Sequence, residues 1–362
     1  VIVPDSRADR LAEAVGEAGL DAMIIGDLVR PGDTVRDFMA DVTWLTGFGG
    51  SSGLVIVGPD VRSFVTDFRY TTTATETVPS SFEVVESSGE MLAFIAGLLA
   101  GRVGLDEAKT SVKSRGKLLE EIGEGVEIVA EKDLVADLRR VKDEAEIEAI
   151  AEAARITDEA YAFIEEQGLA GRTEREVALS AENRMRELGA SDPSFPAIVA
   201  AGSNGAIPHA MPGDRVIEEN EYVVVDMGAI YDGYSSDCTR TLIEGEPDPA
   251  HQEVYDLVLT AQLAGLAAIE AGADGRGIDA IARQVITDGG HGEHFGHGLG
   301  HGVGLEVHEG PSMSKRSTDT LQAGETVTVE PGIYLPGEFG VRIEDLVVVT
   351  DDGYRNLSTR PK

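Results

Sequence analysis

EYVVVDMGAIYDGYSSDCTRTLI, residues 221–243, holds two strand-length runs on either side of the tetrapeptide YDGY. Asp-Gly between two such runs is a hairpin signal, because a type I′ turn needs positive φ at both central residues. Folded so, the stretch sets Asp226, directly after YVVV, beside Asp237, eleven residues further on. An acid inside an apolar strand is out of place, since burying its charge costs several kcal/mol unless a cation answers it. The anomaly recurs twice more: Glu330 follows TVTV, and Glu344 stands between VRI and DLVVV. The Gly/Pro-rich PGIYLPGEFG, 331–340, separates these two and predicts a second hairpin. Among 65 acidic residues most carboxylates are solvated surface charges, so these four are singled out by pattern alone.

Metal ions are the cations that suit such a cluster. An imidazole to join them is expected from HGEHFGHGLGHGVGLEVHE, 291–309, which contains five of the seven His: His291, His294, His297, His301 and His308. A solvated Gly/His loop is the alternative for that run. The strand-like LEVHE after HGVG points to a tightly packed backbone near His301, with His308 seven residues on. Two Asp and two Glu carry −4, which one divalent ion leaves at −2 and two ions cancel, so a pair is favoured. Carboxylate oxygen with one imidazole suits Mn, and also Co, Fe or Zn. Two such ions in one site serve metal-assisted hydrolysis.

Outward from this core the chain reads as two domains. Residues 5–130 alternate amphipathic helix (SRADRLAEAVGEAGL) with apolar strand runs (DAMIIG, GLVIVG, RSFVTD), an α/β pattern assigned to 1–130. Residues 135–168, VADLRRVKDEAEIEAIAEAARITDEAYAFIEEQG, are expected as one long helix, with 131–142 as linker and helix start. The segment 143–362 then mixes helices with hairpin-linked strands, an α+β pattern. Within it, Thr173 and Glu176 form a capping-box signal and Gly189 a stop, and two further helices are expected in 249–272 and 277–290.

The 362 residues exceed the size of one ordinary core, and 42% hydrophobic with 26% charged residues is a soluble composition. A net charge of −35 argues against nucleic acid or anionic lipid as partner. Only seven of the 30 basic residues are Lys, and the acids are spread along the whole chain, which predicts a surface adapted to high salt. At about 1 M salt the Debye length is roughly 3 Å, so such self-repulsion is screened. The single Cys238 cannot form an internal disulfide and fits a reducing cytoplasm. The best apolar run, residues 91–100, is far too short for a membrane span, and no secretion signal is read at the start.

FPAIVAAGSNGAIPHA, VVVDMGAIYDGYSSDCTRT, GHGLGHGVGLEVHEGP, VTVEPGIYL and GVRIEDLVVV, in that order, resemble the pita-bread-fold metallopeptidases: proline-specific aminopeptidases, prolidases and methionine aminopeptidases. The resemblance covers nearly the whole chain. It implies a C-terminal pita-bread (creatinase/aminopeptidase-like) catalytic domain, α+β, preceded by a smaller α/β creatinase-type domain. Asp226, Asp237, His301, Glu330 and Glu344 match the family's five ligands for two metal ions. His209 matches the His that contacts substrate near the scissile bond, and His308 the one that stabilises the tetrahedral intermediate. His297, Tyr334 and Arg342 fall where the proline-specific branch carries supporting residues. Glu330 is implied as both ligand and proton carrier, and Arg342, two residues from Glu344 and so on its strand face, is expected to orient that ligand. DVTWLTGFGGSSG and FVTDFRYTTTATE resemble the N-terminal domain of the proline-specific branch, which methionine aminopeptidases usually lack. The implied function is metal-dependent cleavage between an N-terminal residue and proline by a cytoplasmic homodimer, whose partner is a peptide with proline at its second position and neither nucleic acid nor membrane.

Rival readings are an aminopeptidase of other specificity, a non-peptide hydrolase or lyase on the same scaffold, and a non-catalytic binding module; intact ligand positions argue against the last. Creatinase shares both domains but departs from the ligand set retained here. Gly49, Ser51 and Gly53 fit G-x-S-x-G, but the strand-like LVIVG follows where a nucleophile elbow needs a helix. No nucleotide-binding glycine motif occurs. Trp44 is expected as a core or interface residue rather than a substrate contact, and Cys238 as a small packed residue.

Overall fold

A computed structural model describes residues 3–26 and 39–362. The chain divides into two compact units, Val1–Arg139 and Arg140–Lys362. The alternation expected over 5–130 includes residues 27–38, which lie outside the described residues.

Among the described residues, the first unit is built on six strands, β1 Ala22–Ile25, β2 Leu54–Gly58, β3 Val61–Thr66, β4 Glu83–Glu86, β5 Gly101–Asp106 and β6 Val126–Glu131, in the order β4-β3-β2-β1-β5-β6. β1 pairs antiparallel with β2 and parallel with β5, so the α/β reading holds with a mixed sheet. The helix Ser6–Glu17 buries Leu11 and Val15, one stripe of its amphipathic pattern. Trp44 is 1% exposed, with the guanidinium groups of Arg7 and Arg10 within 5.6 Å of its ring centre, so it is a core residue. Ser51 lies in a loop that runs into β2 rather than a helix, and its Oγ lies 2.8 Å from the Tyr70 hydroxyl. Asp41 is buried too, held by Arg139 Nη1 at 2.6 Å and Lys109 Nζ at 2.9 Å. Burial alone would raise its pKa, but Arg139 and Lys109 outweigh it and hold the carboxyl below its usual range.

The second unit combines helices Glu144–Gln167, Glu174–Glu187, Pro249–Leu266 and Gly275–Asp288 with short sheets. The single helix expected over 135–168 is two, Leu134–Arg140 and Glu144–Gln167. Asp143 interrupts the pattern because its side chain caps Glu146 N while Glu146 returns a bond to the Asp143 amide. The same reciprocal cap at Thr173 and Glu176 starts the next helix as expected. Of the strands that carry the site, β7 Asp192–Pro193, β8 Ile198–Ala201, β9 Tyr222–Met227, β10 Ala229–Tyr231, β11 Tyr234–Ser235 and β12 Cys238–Ile243 form two three-stranded sheets, β12-β9-β8 and β11-β10-β7. β13 Gly300–Gly302, β14 Glu309–Met313, β15 Thr326–Val329, β18 Asp345–Thr350 and β19 Gly353–Asn356 form a third, and β16 Gly332–Leu335 pairs with β17 Phe339–Arg342. Among the described residues, no helix is long and apolar enough to cross a membrane.

Candidate active site

The first hairpin forms as the sequence predicts. β9 and β12 pair antiparallel with Asp226 opposite Thr239, and β10–β11 extends between them through Asp232 and Gly233, whose φ values are 48° and 86°. Gly228 lets the chain narrow here, since a Cβ on it would lie 1.9 Å from Ser236 O. Side chains two apart share a strand face, so Asp237 and Thr239 stand on the face of Asp226.

The second hairpin is split. β15 pairs with β18 and β16 with β17 in one continuous register, from Val329 opposite Asp345 to Gly332 opposite Arg342. Carried across the gap, that register sets Glu330 opposite Glu344 where neither ladder holds them. Their amides bond to other segments instead, Glu330 N to Leu299 O at 2.8 Å and Glu344 N to Thr239 O at 3.1 Å. The two acids are therefore laced to the segments bearing the other candidates.

His301 comes in on β13 between two glycines. A Cβ on Gly300 would lie 2.0 Å from Thr328 O, and one on Gly302 2.0 Å from Gly310 O, so backbones touch on both sides of the imidazole. His301 Nδ1 lies 3.0 Å from Gly302 O, an acceptor only, which fixes the proton on Nδ1. Nε2 is left facing Glu330 Oε1 at 3.4 Å and Asp237 Oδ2 at 3.6 Å.

Donor atoms of Asp237, His301 and Glu344 lie within 4.8 Å of one another, a spacing that suits a metal ion. Asp226 Oδ1 and Glu344 Oε1 are buried and, among the described residues, accept no hydrogen bond, leaving one oxygen of each acid for a cation. Burial, followed by the charges of neighbouring acids, pushes Asp237 and Glu344 well above the usual carboxylate range. Burial raises Glu330 to about 8, with Asp226 adding to the rise and Arg342 opposing it. Burial lowers His301 to about 4, so its imidazole is neutral and supplies no compensating charge at neutral pH. The residues fit divalent cations.

A hydrogen-bonded chain backs this cluster. His297 Nδ1 lies 2.8 Å from Gly298 O, so Nε2 accepts from the Tyr334 hydroxyl at 2.8 Å. Arg342 Nη1 donates to the same hydroxyl oxygen at 3.0 Å and to Pro208 O at 3.3 Å, beside His209. Arg342 Nη2 donates to Asp226 Oδ2 at 2.6 Å. Arg342 thus holds Asp226 rather than Glu344, and it reaches Glu344 only through Thr239: the guanidinium donates to the Thr239 hydroxyl at 2.9 Å, which donates to Glu344 Oε2 at 2.8 Å. Same-face spacing identified the strand face but not which acid the longer side chain meets.

His209 and His308 are exposed, and the His308 ring centre lies 4.3 Å from that of His301. All ten candidates, Asp226, Asp237, His301, Glu330, Glu344, His209, His308, His297, Tyr334 and Arg342, line one cavity of about 820 Å³. Phe195, Ile198, Glu293 and His294 also line it. Cys238 is packed away, its thiol pushed well up by burial.

Sequence reasoning missed Thr239 and a clamp behind His297. Arg283 forms two bonds to Asp279, at 2.9 and 2.7 Å, and also donates to Phe295 O and His297 O, while Asp279 accepts from Leu299 N. The spacing of Asp279 and Arg283, four residues apart on one helix, was a signal for a pair though not for its purpose.

Residues 148–351 match the model of metallopeptidase family M24, and residues 7–141 that of the creatinase/prolidase N-terminal domain. The chain is similar to a Xaa-Pro dipeptidase structure from Bacillus anthracis, at 37% identity over 99% of this chain and 98% of that one, with a TM-score of 0.92. It is also similar to an X-Pro aminopeptidase structure from Thermotoga maritima, at 37% identity over 98% of each chain, with a TM-score of 0.88. A Xaa-Pro dipeptidase of Pyrococcus furiosus is 43% identical over 226 residues, 62% of this chain and 65% of that one.

Proposed function

The chain belongs to metallopeptidase family M24, with a creatinase-type N-terminal domain before a pita-bread catalytic domain, and from that premise we propose that it cleaves the bond between an N-terminal residue and a following proline. The observation that carries this reading is the meeting of four carboxylates and one imidazole, two buried carboxylate oxygens among them unpartnered, in a cavity also lined by the His297–Tyr334–Arg342 chain. Similarity to a Xaa-Pro dipeptidase and an X-Pro aminopeptidase supports the same substrate class.

In this reading Asp226, Asp237, His301, Glu330 and Glu344 hold two divalent ions, Mn by preference, with Co, Fe or Zn as substitutes. Bound there, the ions supply Lewis acidity and activate water. Glu330 accepts the proton of the attacking water and returns it to the proline nitrogen, which carries no hydrogen in the peptide and needs one to leave. His308 holds the developing oxyanion, and His209 contacts substrate beside the scissile bond. His297, Tyr334 and Arg342 hold the wall of the cavity in place, and the catalytic work falls to 143–362. A homodimer and a high-salt cytoplasm complete the proposal; the net charge of −35 supports the adaptation to salt.

The test is hydrolysis of Xaa-Pro dipeptides and Xaa-Pro-Xaa tripeptides in high salt, with Mn or Co against a chelated control. Metal-dependent cleavage of at least one length is expected. No cleavage of either by metal-loaded protein refutes the substrate, and equal activity and stability in dilute buffer refutes the adaptation to salt.

A further inference from the structure

Thr239 is fully buried on β12, directly opposite Asp226 and two residues after Asp237. Its hydroxyl has one proton to give. Arg342 Nε, which can only donate, occupies the oxygen at 2.9 Å, so the Thr239 proton is directed to Glu344 Oε2 at 2.8 Å. The same guanidinium takes Asp226 Oδ2 at 2.6 Å. In both acids one oxygen is thereby held by a side-chain donor, and in both the other one, Asp226 Oδ1 and Glu344 Oε1, is buried without a hydrogen-bond partner among the described residues. Arg342 reaches Asp226 directly, whereas among the described residues Glu344 has no side-chain donor on its bonded oxygen but Thr239.

We infer that Thr239 is a positioning residue for the metal centre: its hydroxyl relays the orientation of Arg342 to Glu344 and so decides which oxygen of that acid faces the ions. The inference rests on the metal reading proposed above. A hydroxyl on this strand face performs two tasks at once, accepting from the guanidinium and donating to the carboxylate. Valine fills nearly the same volume and performs neither, leaving Arg342 Nε and Glu344 Oε2 buried without partners. Serine performs both.

The test is Mn(II) titration of the full chain, following free Mn(II) by electron paramagnetic resonance, for wild type, T239V and T239S. Removing an outer hydrogen-bond partner of a ligand weakens metal affinity by about 10- to 100-fold, so T239V is expected to lose that much while T239S stays within about threefold of wild type. T239V binding like wild type overturns the inference, as does T239S losing as much as T239V, because a role in packing alone would not be rescued by the smaller hydroxyl residue. Should T239V fail to fold, T239A takes its place: T239A weak with T239S tight supports the relay, and the two alike overturns it. Wild-type protein that takes up no Mn(II) overturns the metal reading and the relay together, whereas wild type that binds beside an unimpaired T239V overturns the relay alone.

Discussion

Asp41 and Asp237 are both buried aspartates, and their surroundings treat them oppositely. Around Asp41 the chain provides its own answer, with Arg139 and Lys109 within 2.9 Å holding the carboxyl ionised. Around Asp237 the neighbours are Glu344, Asp226 and Glu330, with Arg342 as the opposing cation, and the carboxyl resists ionisation. A buried acid answered from within the chain is a structural element. One answered by more acids waits for a cation from outside, so the partner list rather than burial separates the two roles.

The largest test of this contrast is D237N. With metal supplied, kcat/KM for an Xaa-Pro substrate should fall by roughly 10⁴-fold, about 5.5 kcal/mol of barrier, because a carboxylate that holds the ions is gone. In chelator the same variant should be no less stable than wild type, and more stable if anything, since one of several mutually repelling acids is neutralised. A metal-free D237N that melts well below wild type would make Asp237 a structural acid after all. D41N should behave the other way, losing about 3–5 kcal/mol because Arg139 and Lys109 keep buried charge without their counter-ion. Denaturant unfolding of that variant read beside its metal content checks this, and a loss below about 1 kcal/mol would place the pair with ordinary surface bridges.

The smallest effect is in the pH dependence of the metal's contribution. Glu330 rises from 4.5 to about 8 in the metal-free fold, so between those values the folded protein holds a proton that the unfolded chain has lost. Metal-free stability from this group is therefore full below about pH 4.5 and declines as pH rises towards about 8, while ions have fewer protons to displace. The gap in melting temperature between loaded and chelated protein should widen from about pH 5 to about pH 8. A constant or narrowing gap would mean that the acids do not exchange protons for metal.

Much of this site was legible because its signals are local. Acids closing the apolar runs YVVV and TVTV, the Asp-Gly turn at Asp232 and Gly233, and the Thr173 capping box each depend on neighbours within a few residues. Less legible were arrangements set by distant partners. Arg342 lies two residues from Glu344, yet its closest carboxylate is Asp226, 116 positions away. Thr239 reads in sequence as an ordinary strand threonine, and only the spatial meeting of Arg342 and Glu344 gives its hydroxyl two tasks. The interruption at Asp143 was local and still missed, because the apolar periodicity on both sides hid the reciprocal cap with Glu146.

The two glycines around His301 limit how this centre could be redesigned. Neighbouring backbones already occupy the space where side chains at 300 and 302 would begin, so no second donor, tether or bulky wall can be grafted onto this edge. An engineer wishing to alter metal preference here has the imidazole itself to exchange, or the acids and hydroxyls that reach in from β9, β12 and the split hairpin. The strand serves as a thin spacer with a single programmable position.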